Sequence, residues 1–430
     1  MAVAHWRTAR YMGREFSPIW RREEAFCSEG AKPGKASTDA SKIATAAGAS
    51  RRRPLGLFAF LHTAGVLSPP LHIHILRLAD VGHTRYSPLF GAQRTMLPDS
   101  QLHHSGARTG DPRQFRTRGT RMNDPIEARE RIKGLFNITM TPFDKDGALN
   151  LSGLQQNVAR ALHFGYDGLL IGGTYGEFAT MSPEERLRLF KAAVDVVGDR
   201  APVLLCTAHS DQRVIEELTA AAGGLGGVPM VMPPYVSEIT QAQIVDFFRW
   251  IAPRSKTGVM IYNAPGTGVT MSPESIEEVS DIPGIVALKQ GDLSPSVVDR
   301  LAATVVGKIR VLAASDLALP APVAMGFDGL SSTNSGALPE LILACYQALK
   351  NGETARAARL HRSWYALRAK ARAFGQPQTT KSAMRLRGWE SAGYVRRPLQ
   401  DPSGDQERQI LEALLQAEAA SGLDLGLPRG

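Results

Sequence analysis

The sequence predicts an α/β protein of the (β/α)8, or TIM barrel, class, with a small C-terminal helical appendix and a disordered N-terminal extension. Three observations carry that expectation. Short apolar runs recur eight times between Leu135 and Ser331, stretches of helical period lie between them, and no phosphate-binding glycine loop follows the first run. A doubly wound sheet usually shows about five or six strands and such a loop, whereas eight strand–helix units match a closed barrel. Residues 1–121 read as the extension, 122–349 as the barrel and 350–430 as the C-terminal helices and tail.

The extension holds 19 Lys+Arg against 8 Asp+Glu, a net of +11, and seven of the ten histidines. Its polar, arginine-rich composition, interrupted by Pro69-Pro70, buries too little apolar surface to offset the entropy of ordering the chain. It is expected to be either an upstream extension with no folded role or a mis-called start, with Met122 as the alternative first residue. Leu55–Leu78 is apolar and follows three arginines. It also contains His62, Pro69, Pro70, His72, His74 and Arg77, whereas a spanning helix needs about 20 mostly apolar residues, so no membrane partner is expected. His72 and His74 lack a third ligand at a sensible spacing, so no metal is expected there. For residues 122–430 the balance is 31 Lys+Arg against 33 Asp+Glu, which excludes a nucleic-acid footprint from composition. Three widely spaced cysteines, Cys27, Cys206 and Cys345, form no disulfide framework and point to a reducing cytoplasm.

Met122 is followed by Asn123-Asp124-Pro125-Ile126-Glu127, a capping residue, a proline and an acid that open a helix. The strands then read as Leu135–Met140, Gly168–Ile171, Val203–Cys206, Val228–Met232, Val259–Tyr262, Ile285–Lys289, Arg310–Ala313 and Gly329–Ser331. The helices between and after them read as Leu151–Phe164, Pro183–Val197, Gln212–Ala222, Gln241–Ile251, Pro273–Val279, Pro295–Thr304, Leu317–Met325 and Pro339–Leu349. Ser182-Pro183-Glu184-Glu185 and Ser272-Pro273-Glu274 are explicit start signals. The appendix reads as helices near Glu353–Phe374, Thr380–Ala392 and Gln406–Glu418.

In a barrel, reactive residues sit at the C-terminal ends of strands and in the loops that follow. Lys289 ends the sixth run and Tyr262 the fifth. A lysine buried at such a position has its charged form disfavoured, and the free amine can add to a ketone carbonyl. Gly172-Gly173-Thr174-Tyr175-Gly176-Glu177 follows the second run; its glycines let the backbone turn tightly and offer N–H groups to a carboxylate. His209, Ser315, Asp316, Ser332 and Asn334 follow other runs on the same face and are candidates to line a pocket. Glu177 is expected to brace its loop, and His163 and His361 to be packing or surface residues.

Taken together, the glycine loop, Tyr262-Asn263-Ala264-Pro265, Ala287-Leu288-Lys289 and Thr139-Met140-Thr141-Pro142-Phe143 resemble the family of dihydrodipicolinate synthase and N-acetylneuraminate lyase, from about Gly134 to Leu349. The resemblance implies a class I aldolase, a lyase acting on pyruvate or another 2-keto acid and an aldehyde, without cofactor. By the same resemblance Lys289 forms the imine, Tyr262 relays protons and Thr174 links it in the relay. The resemblance also implies that the N–H groups of Thr174 and Tyr175, beside Gly173, hold the keto-acid carboxylate; Ser332, by its place after the eighth run, is expected to contact the substrate tail. Tyr235, in Pro233-Pro234-Tyr235, aligns with a tyrosine that reaches a neighbouring subunit's site, which implies a homo-oligomer, dimer or tetramer.

Three departures bear on the substrate. Where the resemblance calls for an arginine after the Tyr-Asn-Xaa-Pro motif, the chain has Gly266-Thr267-Gly268, and Tyr175 stands where a second threonine is usual. Gln290 follows the lysine where an acid is frequent. A lyase other than the lysine-pathway enzyme is therefore expected. The alternatives are a genuine 4-hydroxy-tetrahydrodipicolinate synthase and a non-catalytic barrel that binds a small acid.

Overall fold

The computed structural model of the chain describes residues 122–266, 268–317 and 319–428, so the expectations for residues 1–121 lie outside the described residues. Within them, strands β1 (Gly134–Thr139), β2 (Gly168–Ile171), β3 (Val203–Cys206), β4 (Val228–Val231), β5 (Val259–Asn263), β6 (Ile285–Gln290), β7 (Arg310–Ala313) and β8 (Gly329–Ser332) pair in parallel, each with the next, and β8 closes on β1. This is the expected barrel. Strands covered on both faces need apolar side chains throughout, which is why β2, β3 and β4 read as continuous runs and are buried along their whole length.

The covering helices are α1 (Pro125–Arg131), α2 (Leu151–Phe164), α3 (Pro183–Val197), α4 (Gln212–Gly224), α5 (Gln241–Ile251), α6 (Pro273–Ser280), α7 (Pro295–Thr304), α8 (Pro320–Ala324) and α9 (Pro339–Lys350). Their starts follow the sequence signals. Asp124 accepts from the N–H groups of Ile126 and Glu127, and Ser182 forms a reciprocal capping box with Glu185. Helix α8 is shorter than the expected Leu317–Met325, because Asp316 is held by Ser332 at the end of β8 and by Asn334 after it, and Pro320 opens the helix.

The appendix contains α10 (Thr354–Ser363), α11 (Tyr365–Phe374), α12 (Gln376–Leu386) and α13 (Gly404–Ser421). The single helix expected over Glu353–Phe374 breaks at Trp364, a fully buried indole whose backbone leaves the helical region. Helix α12 begins four residues before the expected Thr380, with Pro377 in its first turn, where a missing N–H costs nothing. It ends at Leu386, short of Ala392, just before Gly388, whose φ is +76°, and a 3-10 turn, Glu390–Ala392, follows. The start of α12 lies at the loop after β8: Gln376 Nε2 donates to the Thr333 carbonyl and to Asn334 Oδ1, both at 3.2 Å. Among the described residues, no helix is long and apolar enough to cross a membrane.

Barrel closure depends on one close backbone approach. Gly329 pairs with Gly134, and a Cβ on Gly329 would overlap the Gly134 backbone. Gly329→Ala is therefore expected to cost roughly 1–3 kcal/mol of stability, the usual scale of overpacking. Gly404→Ala, whose new carbon meets nothing within 4 Å, is expected to stay within about 0.5 kcal/mol of the parent. Urea unfolding of the two variants checks this, and equal midpoints would count against the closure argument.

Candidate active site

Lys289 on β6 pairs in register with Tyr262 on β5, so both side chains leave adjacent strands at the same height. Lys289 is 4% exposed, and its Nζ lies 3.8 Å from the centre of the Tyr262 ring. Burial lowers the Lys289 pKa from 10.5 to about 7, with the neighbouring Cys206 acting weakly the other way. Burial also raises the Tyr262 phenol well above its ordinary value, partly offset by its hydrogen bond with Thr174. Thus an amine that is easily deprotonated faces a phenol that holds its proton.

The Thr174 hydroxyl is 2.9 Å from the Tyr262 hydroxyl. It is placed there by a tight turn that glycines favour. Gly172 has φ of +62°, and a Cβ on Gly173 would come within 2.7 Å of the Leu170 side chain. The chain then enters a 3-10 turn, Thr174–Gly176, whose first N–H groups have no partner within the turn. Tyr175 is half-buried; burial, and then the nearby Tyr262, raises its phenol pKa.

Glu177 ends this turn in the left-handed region, at φ of 59°, and its carboxylate is paired with Lys381 of α12 at 2.5 Å. It braces the loop, as expected. Gln290 accepts from Asn263 Nδ2 at 3.1 Å and donates to the Asp292 carbonyl at 3.0 Å, so it ties the ends of β5 and β6 together. Asn263 in turn receives the Met271 N–H at 3.0 Å.

The remaining candidates fall into two groups. Ser332 is fully buried and donates to Asp316 Oδ2 at 2.5 Å, while Thr333 Oγ1 and the backbone and side-chain N–H groups of Asn334 also donate to that carboxylate. Ser332, Asp316 and Asn334 thus form a closed network that shapes the β7 and β8 loops. His361 Nε2 lies 2.9 Å from the Asp316 carbonyl, joining α10 to the same loop.

Tyr235 is 70% exposed and lines a cavity of about 310 Å³ with Phe178, Met181, Arg186, His209 and Met232. Lys289, Tyr262 and Thr174 are not among the residues lining that cavity. His209 Nδ1 accepts from the Asp211 N–H at 2.9 Å. Among the described residues, no group of three or more His, Cys, Asp or Glu side chains is placed to hold a metal ion. The sequence reading missed Lys381 and Arg396, which carry no local motif.

The family model described as "Dihydrodipicolinate synthetase family" matches residues 131–418. The chain is 35% identical over 281 residues to a 4-hydroxy-tetrahydrodipicolinate synthase of Synechococcus sp. (strain CC9605), covering 64% of this chain and 92% of that protein. It is 33% identical over 285 residues to 4-hydroxy-tetrahydrodipicolinate synthase 2 of Halalkalibacterium halodurans, covering 64% and 95%. Among solved structures, a prophage protein of the dihydrodipicolinic acid synthase family from E. coli K12, in complex with pyruvate, superposes with a TM-score of 0.63 at 26% identity. That likeness covers 67% of this chain and 99% of the other.

The lysine makes a pH prediction. Since burial disfavours the ammonium, half of the Lys289 amine is free near pH 7 instead of near 10.5. Labelling of Lys289 by a small acylating reagent, read by peptide mass, is expected to rise with pH through a midpoint near 7; a midpoint near 10.5 would contradict a desolvated amine.

Proposed function

The chain belongs to the dihydrodipicolinate synthetase family, whose members are pyruvate-dependent lyases of the class I aldolase type, and from that premise we propose that it is a Schiff-base lyase acting through Lys289 on pyruvate or another 2-keto acid. The observation that carries the reading is the contact set Lys289–Tyr262–Thr174 at the C-terminal ends of β6, β5 and β2.

The neutral amine of Lys289 adds to the keto carbon. The carbinolamine loses water, and the resulting protonated imine takes up electrons when a proton or a carbon fragment leaves the adjacent carbon. The Tyr262 phenol, hydrogen-bonded to the Thr174 hydroxyl, supplies the proton for loss of water and collects protons on the return. The keto-acid carboxylate sits on the N–H groups of Thr174 and Tyr175, beside Gly173, where the unpaired start of the 3-10 turn favours an anion. Ser332 supports this pocket through Asp316. Tyr235, exposed beyond β4, reaches the equivalent site of a second subunit in a homodimer or homotetramer. With Cys206 and Cys345 as free, buried thiols, the enzyme works in a reducing cytoplasm.

For the aldehyde partner, Gly266 and Gly268 offer no cation to a second carboxylate, and Thr267 lies outside the described residues. An unpaired desolvated charge is costly, so partners with a neutral, hydroxylated or aromatic far end are favoured, the last stacking on Tyr175. The names of the relatives favour a second reading, a genuine 4-hydroxy-tetrahydrodipicolinate synthase. Efficient, saturable condensation of pyruvate with aspartate semialdehyde would establish it; the first reading expects poor or undetectable use in a panel of aldehydes and 2-keto acids.

Two variants test the chemistry. Lys289→Ala is expected to fold and to gain no pyruvyl mass after borohydride; a retained adduct removes the assignment. Tyr262→Phe keeps the ring and removes the phenol, so turnover should fall roughly 10²–10⁴-fold. Wild-type turnover in that variant would take the proton relay out of the mechanism.

A further inference from the structure

The ion pair between Lys381 and Glu177 joins an appendix helix to the loop that carries Thr174. Both side chains are fully buried, at 0% and 1% exposure, and Nζ to Oε1 is 2.5 Å. The second carboxylate oxygen of Glu177 accepts the Arg396 backbone N–H at 2.9 Å, and Lys381 also donates to the Tyr394 carbonyl at 2.7 Å. These hydrogen bonds come from the appendix and the loop, and the Phe143 ring, 4.8 Å from Lys381 Nζ, closes the pair off from the β1 side.

Glu177 is also one of two non-glycine residues with positive φ among the described residues. That conformation costs about 1–3 kcal/mol and persists only where surroundings over-determine it. Its N–H donates to the Thr174 carbonyl at 3.1 Å, so a shift of Glu177 moves the residue whose hydroxyl meets Tyr262. The far end of the loop is tied as well: Arg396 donates to the Thr180 carbonyl at 2.9 Å and grips the Glu185 carboxylate with both terminal nitrogens. A buried ion pair adds little net stability against an apolar replacement, and its better-attested use is to fix one geometry.

We propose that Lys381 is a positioning residue, which through Glu177 holds the Thr174–Glu177 turn so that the Thr174 hydroxyl stays on the Tyr262 phenol. The inference rests on the Schiff-base reading for its catalytic consequence, and on geometry alone for the clamp. Removing the clamp leaves Lys289 able to form the imine once pyruvate saturates the site, weakens the seat of the carboxylate on the turn, and slows the steps that move protons.

The test compares wild type, Lys381→Met and the double variant Glu177→Gln/Lys381→Met, which leaves no unpaired buried charge. Three quantities are read: amide exchange of residues 172–181 by mass spectrometry and, at saturating pyruvate, the end-point of trapping by borohydride and the rate of deuterium entry at C3 of pyruvate in D2O. Expected are at least about tenfold faster amide exchange confined to that loop, an unchanged trapping end-point, and C3 exchange slowed roughly 10–100-fold, part of the full general acid–base contribution. In the Thr174→Val background, Lys381→Met should slow C3 exchange no further than Thr174→Val alone, because the clamp acts through that hydroxyl and residues acting as a unit do not add.

Unchanged loop amides, wild-type C3 exchange or multiplicative losses with Thr174→Val would each overturn the proposal. So would failure of both variants to fold, since the pair would then hold the barrel rather than one loop. A wild-type protein that traps no pyruvate defeats the Schiff-base reading, while the loop amides still decide the clamp.

Discussion

Burial of one amine governs the site. A lysine at the end of a strand in an open sheet would keep its ammonium in water. In a closed barrel the neighbouring strands surround it, and Lys289 is left with an aromatic face and a thiol in place of solvent. Desolvation then does what a catalytic base would otherwise have to do, because the amine is already half deprotonated near neutrality. The same enclosure keeps the Tyr262 phenol protonated, so that the proposed nucleophile and the proposed proton donor are set by one cause.

Enclosure obliges the surrounding loops to satisfy their own polar groups. Asp316 is met by Ser332, Thr333 and Asn334, Asn263 by Gln290 and Met271, and Glu177 by Lys381 and Arg396. Each set joins two or more loops, so the C-terminal face of the barrel is held as a frame. The appendix belongs to that frame: α12 reaches the β8 loop through Gln376 and the β2 loop through Lys381, and α10 reaches the β7 loop through His361. Helices that lie outside the barrel in sequence thus set the shape of its reactive end.

The barrel was legible because its strands are buried on both faces and read as unbroken apolar runs, and because helix starts carry Ser, Thr, Asp and Pro. Lys289 and Tyr262 were legible for a related reason, as polar residues that end apolar runs. Thr174 was marked by the glycines before it. Lys381 was not, since its partner is 204 residues away and a lysine in an amphipathic stretch is indistinguishable from a solvated one. The break at Trp364 was equally silent, for no glycine or proline marks it and only tertiary burial of the indole places it. Ser332 was found by position, but its hydroxyl is committed to Asp316, a pairing between two loops that no local pattern records.

The central claim is that a desolvated Lys289 bonds covalently to a keto acid whose carboxylate rests on the glycine-loop turn. A crystal structure of the protein soaked in pyruvate and reduced in place tests it most directly. The account predicts continuous density from Lys289 Nζ to C2 of the adduct, with the carboxylate oxygens within hydrogen-bond distance of the Thr174 and Tyr175 N–H groups and the Tyr262 hydroxyl beside the former carbonyl position. Pyruvate bound without a bond to Lys289, or attached to a different lysine, would contradict it.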